Sequence, residues 1–62
     1  MTKEFVVWRQ ETKSSASRAL QAALSDYIRL RGVKTWRWLT QPEILHGDDG
    51  WRAYGRIEWT KR

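Results

Sequence analysis

The chain has no cysteine, one histidine and one proline in 62 residues. Without cysteine there are no disulfide staples and no thiol nucleophile, which agrees with the cytoplasmic location expected by default of a chain with no signal-peptide core. With His46 as the sole histidine, no serine has an obvious general base. Convergent metal ligands are also scarce. His46 with Asp48 and Asp49 is the one candidate group, and in a glycine-flanked stretch it reads as a solvated reversal, so the metal expectation is none. Long apolar runs are missing too. Phe5-Val6-Val7-Trp8 is far shorter than a signal-peptide core or a membrane span, so no membrane partner is expected. Neither Gly32 nor Gly55 sits in a phosphate-cradling motif, and the seven carboxylates are scattered. Glu4 and Glu58 could meet across strands, but among arginines they suit ion pairing better than acid-base work. A non-enzymatic protein without a cofactor is the expectation.

Positive charge and tryptophan are abundant instead. Twelve Lys or Arg residues against seven Asp or Glu give a formal net charge of +5. The isoelectric point is near 10.3, which favours nucleic acid or an acidic protein surface as partner. A single domain spanning residues 1–62 is at the small end of what folds alone, and buries only about 60% of its unfolded surface. Five tryptophans offset part of that deficit, since each can remove on the order of 150–250 Å² from water. Self-association is a second route to buried area, so a homo-oligomer stays open.

Along the chain, Phe5 to Gln10 reads as a first strand, apolar on both faces, with Phe5 and Val7 on one side and Val6 and Trp8 on the other. Such a strand is covered twice or shows one side to a partner, which leaves Trp8 either at a sheet edge or in a contact. Ser14 or Ser15 is expected to cap the helix that follows, without a complete capping box. From Ala16 to Arg31 the residues Ala16, Leu20, Ala23, Leu24, Tyr27 and Ile28 form one helical stripe. Arg29 and Arg31 suit the last turn, and Gly32 suits the left-handed residue that ends it. The outward face, with Arg18, Ala22, Ser25 and Arg29, reads as solvated.

Val33 to Gln41 reads as a second strand, with Trp36, Trp38 and Thr40 facing the core and Thr35, Arg37 and Leu39 facing away. Pro42 should end it, kink it or hold it at an edge. Glu43-Ile44-Leu45 can resume the strand after that break. His46 to Gly50 is a turn, with Asp-Gly as the reversal signal. The last strand, Trp51 to Trp59, organises the rest. Trp51, Ala53, Gly55, Ile57 and Trp59 alternate with Arg52, Tyr54, Arg56 and Glu58.

Strand, helix, strand, strand limits the topology. A right-handed crossover makes the first two strands parallel, and the last strand fits between them, antiparallel to both. The expected fold is α+β: β-α-β-β, a three-stranded antiparallel-type sheet of order 1-3-2, with one helix packed on one face. The helix-free face would then show Arg37, Leu39, Arg52, Tyr54, Arg56 and one of the first strand's residue pairs.

In the last strand, Arg52, Tyr54, Gly55, Ile57 and Trp59 resemble the third-strand pattern of RNA-recognition-motif domains, while Ala53 and Arg56 depart from it. The second helix and fourth strand of that family are missing. The resemblance implies a stacking platform, a tyrosine between arginines. The element order is also similar to that of dodecins, flavin-binding homo-oligomers whose second strand opens on a flavin-stacking tryptophan. Trp36 lies in a comparable place, and the basic charge and Pro42 depart from that family.

Three functions follow as expectations. The first is nucleic-acid binding, single-stranded or structured, through Arg37, Arg52, Tyr54 and Arg56 with Lys34, Lys61, Arg62 and Trp8 in support. The second is a protein-interaction module, of the kind phages and mobile elements encode as small inhibitors or accessory factors, docking the same residues on an acidic surface. The third is a dodecin-like oligomer that holds a flat aromatic ligand.

Overall fold

The computed structural model describes residues 1–62. Strand β1 runs Thr2–Gln10, helix α1 Lys13–Arg31, strand β2 Val33–Gly47 and strand β3 Gly50–Lys61. Strand β1 begins earlier than the apolar run suggested, because Thr2, Lys3 and Glu4 pair with Glu58, Ile57 and Arg56 of β3. Backbone pairing extends a strand past the last residue whose side chain needs burying.

The sheet order is β1-β3-β2, with β3 antiparallel to both neighbours. This is the arrangement the element order required. Helix α1 spans about 28 Å and β3 about 40 Å at standard rises, so the helix leaves part of the sheet's inner face beyond its reach. At the hairpin tip, His46 stacks on Trp51 with ring centroids 4.7 Å apart.

Eight residues form the buried core: Phe5, Ala16, Leu20, Leu24, Val33, Ala53, Ile57 and Trp59. Strand β3 supplies Ala53, Ile57 and Trp59 from alternate positions, and α1 supplies Ala16, Leu20 and Leu24 from one stripe. Ala23, Tyr27 and Ile28 of that stripe pack partly buried against them. Tyr27 meets both Phe5 and Trp59 edge to face, at centroid distances of 5.5 and 5.4 Å, a preferred aromatic geometry. The outward residues Arg18, Ala22, Ser25 and Arg29 are exposed, as the periodicity required.

The helix is capped two or three residues earlier than Ser14 or Ser15 would place it. Thr12 is the N-cap: its Oγ1 accepts the Ser15 N–H at 3.0 Å, and Ser15 Oγ accepts the Thr12 N–H at 3.2 Å. Serine thus fills the reciprocal position usually taken by Glu or Gln, and the capping box is complete. Thr12→Ala is expected to lower the unfolding free energy by about 1 kcal/mol, measured as the midpoint shift in urea with unchanged slope. At the other end Gly32 is left-handed, φ 64°, and its N–H donates to the Ile28 carbonyl.

Strand β2 runs through Pro42 at a sheet edge rather than stopping there. Its register shifts twice between Trp38 and Glu43. Thr40 pairs with Arg56, which faces away from the helix, so the expected placement of Thr40 beside the tryptophans is corrected: the irregularity after Trp38 breaks the alternation. Trp36 and Trp38 do lie on the helix side, opposite Trp59 and Ile57, and meet edge to face. Trp36 is nevertheless 40% exposed, because an edge strand lacks a neighbour to cover it. The reversal uses Asp48 and Asp49 between paired Gly47 and Gly50, not Asp49 with Gly50.

Candidate binding surface

The face of the sheet opposite α1 carries no element of the chain. Alternation along β3 puts Arg52, Tyr54, Arg56 and Glu58 on it. The register then brings Thr2, Glu4 and Val6 alongside from β1, and Arg37, Thr40, Glu43 and Leu45 from β2. Tyr54 sits at the centre, between Val6 and Glu43.

The guanidiniums expected to reach for a ligand are differently employed. Arg37 donates to Glu58 Oε1 from both Nη2, at 3.2 Å, and Nε, at 3.3 Å. An exposed pair of this kind contributes on the order of 0–1 kcal/mol, but it neutralises both members locally. Arg52 lies over the Trp8 ring, 5.2 Å from its centroid, in a cation–π contact. On its other side is Gly47, where a Cβ would approach Nη2 to 2.6 Å, so any larger residue would push the guanidinium aside. Arg52 Nε is buried in this sandwich and has no acceptor. Arg56 stands opposite Glu4, exposed and without an ion pair.

Trp8 owes its place to a break in β1. The register shifts between Val7 and Gln10, and Arg9 takes a left-handed φ of 57° there. Trp8 is 53% exposed and borders a shallow depression of about 210 Å³, together with Val6, Leu45, Arg52, Tyr54 and Glu43. The sequence marks Trp8, Arg52 and Tyr54, and offers the Val6 and Trp8 side of the first strand as one of two that can join them. It does not mark Leu45 or Glu43 for this surface, since only the register with β3 brings them to one place.

Lys34, Lys61 and Arg62 lie elsewhere, at the end of the fold where α1 finishes. The Arg62 N–H donates to the Gly32 carbonyl at 3.0 Å, and Val33 pairs with Lys61. Lys3 and Arg31 converge on the Tyr27 ring, at 5.6 and 5.8 Å from its centroid. With Arg29, this pole gathers six cations against one carboxylate, Asp26, which Arg29 pairs at 3.1 Å. The open face, by contrast, holds three arginines, Arg37, Arg52 and Arg56, and three glutamates, Glu4, Glu43 and Glu58. At the opposite end Arg9, Lys13 and Arg18 balance Glu11, Asp48 and Asp49. The whole formal excess of +5 therefore resides at one pole.

No helix of the chain is long and apolar enough to cross a membrane. No family model, curated protein or solved structure matches the chain.

Proposed function

We propose that the protein is a non-enzymatic nucleic-acid binder that holds the phosphate backbone at its basic pole, with Lys3, Arg31, Lys34, Lys61 and Arg62 as contacts. The observation that supports this reading is the partition of charge: one pole carries the full +5, whereas the open face sums to zero. A phosphate chain laid across the open face would meet Glu4, Glu43 and Glu58, and would have to displace Glu58 from Arg37. At the pole it meets exposed cations with a single carboxylate among them. Binding of this kind positions a backbone without reading sequence, because phosphates are alike.

The test is a titration of a labelled, mixed-sequence single-stranded oligonucleotide followed by fluorescence anisotropy. Micromolar or tighter affinity is expected at low salt, falling steeply as counterions are released. Each phosphate contact contributes about −0.7 to the slope of log K against log salt, so five contacts give roughly −3.5. Replacing Lys34, Lys61 and Arg62 together by alanine should make that slope shallower by about 2 and weaken low-salt binding tenfold or more. Arg56→Ala should change neither. No binding at low salt, or a loss confined to Arg56→Ala, would overturn the proposal.

A further inference from the structure

Val6, Trp8 and Leu45 are 44, 53 and 56% exposed, and all three lie around one depression on the helix-free face. An apolar cluster so placed marks a contact surface, not a random scatter of surface side chains. Tyr54 and Arg52, which line the depression with them, are of residue types enriched at interface centres.

Charge selects among occupants. A polyanion or an acidic protein would bring negative charge against three glutamates, and a basic protein would meet three arginines. A partner whose own contact surface is balanced meets neither penalty. The face itself is one such surface, because it has as many carboxylates as guanidiniums. Two copies can approach through it without net repulsion although each chain carries +5, since that excess lies at the pole.

The area is adequate. Three strands spaced about 4.8 Å apart, β1 about 30 Å long and the other two running the 39 Å length of the molecule, present roughly 500 Å² of face. Two copies packed over the whole of it would together bury on the order of 1,000 Å², the area at which a specific interface begins. We infer that the helix-free sheet face is a self-association surface, and that the protein forms a dimer in which two such faces pack around Val6, Trp8, Leu45 and Tyr54. This does not rest on nucleic-acid binding at the pole.

Light scattering coupled to gel filtration, run across a concentration series, tests it. The expected mass approaches twice the 7.4 kDa of one chain. Leu45→Glu and Val6→Lys, made separately, place a charge where the single chain is already exposed, so the far-ultraviolet circular dichroism should be unchanged while the mass falls to one chain. The Lys34, Lys61 and Arg62 triple variant should keep the dimer mass, which separates this surface from the pole. A single-chain mass at every concentration would sink the inference. So would a dimer that survives both substitutions. Loss of oligonucleotide binding in Leu45→Glu or Val6→Lys, with the wild-type mass already that of one chain, would assign the face to nucleic acid instead.

Discussion

Replacing Ile57 with alanine is expected to remove roughly half of the folding free energy. Ile57 is fully buried on the central strand, opposite Lys3 on one side and Trp38 on the other, with the helix above. Truncating a buried isoleucine costs about 2–5 kcal/mol, the upper part of that range applying where neighbours cannot close on the space. Here β3 is held by a strand on each side, which limits such collapse. A 62-residue domain is stable by only about 3–9 kcal/mol at typical values per residue, so one side chain removes a large share of the total. Urea unfolding monitored by circular dichroism measures the loss directly. Ile57→Val should cost about 1 kcal/mol. A loss below about 1 kcal/mol for the alanine variant would show that the core does not depend on this position.

Gly55→Val is expected to destabilise the fold by about 1–3 kcal/mol for the opposite reason, too little room. Gly55 is buried on β3 between Phe5 and the broken part of β2, and the Trp38 ring lies across it. A Cβ at this position would come within 3.0 Å of Trp38 Cη2 and 3.2 Å of Cε3, with Cζ3 closer still. The backbone of Gly55 is not in the left-handed region, so space alone decides the outcome. Trp38 must swing outward, and its edge-to-face contact with Trp36, at 5.6 Å between centroids, breaks with it. The near-ultraviolet dichroism of the indole pair should collapse and the tryptophan emission should shift to the red. If the cost arises from this clash, Gly55→Val in a Trp38→Leu background should cost far less than in the wild type, a coupling that a double-mutant cycle reads out. Equal costs in the two backgrounds would place the strain elsewhere.

These two positions also show how much of the fold a reader of the chain can obtain in advance. Ile57 and Gly55 belong to an alternation that is visible in the letters, because a strand's period of two is set by covalent geometry. The helical stripe from Ala16 to Ile28 is legible for the same reason at a period of 3.6. Pro42, which cannot donate to a ladder, disfavours β2 at the centre of the sheet, and the parallel crossover from β1 to β2 then suits β3 between them. The cap is harder to place from the letters, because serine at the reciprocal position is a weaker signal than glutamate. Local hydrogen bonding, and not side-chain type, then decided for Thr12.

The candidate surfaces were legible only in part. Counting charges gives the excess of +5, but its collection at one pole depends on which strand ends lie beside the end of α1. Arginine and tyrosine on alternate positions of β3 suggested a phosphate-binding platform. The register supplied the rest, setting Glu4 beside Arg56, Glu58 beside Arg37 and Trp8 beneath Arg52. What the chain determined by itself was its set of elements, their order and, outside the bulges, the side each residue faces, since periodicity and proline chemistry act locally. Only the tertiary structure decided which charges cancel and which stand free, because Coulomb interactions depend on distances between residues far apart in sequence. The bulges at Arg9 and around Thr40 set those distances, and backbone irregularities of that kind leave no pattern in composition or spacing.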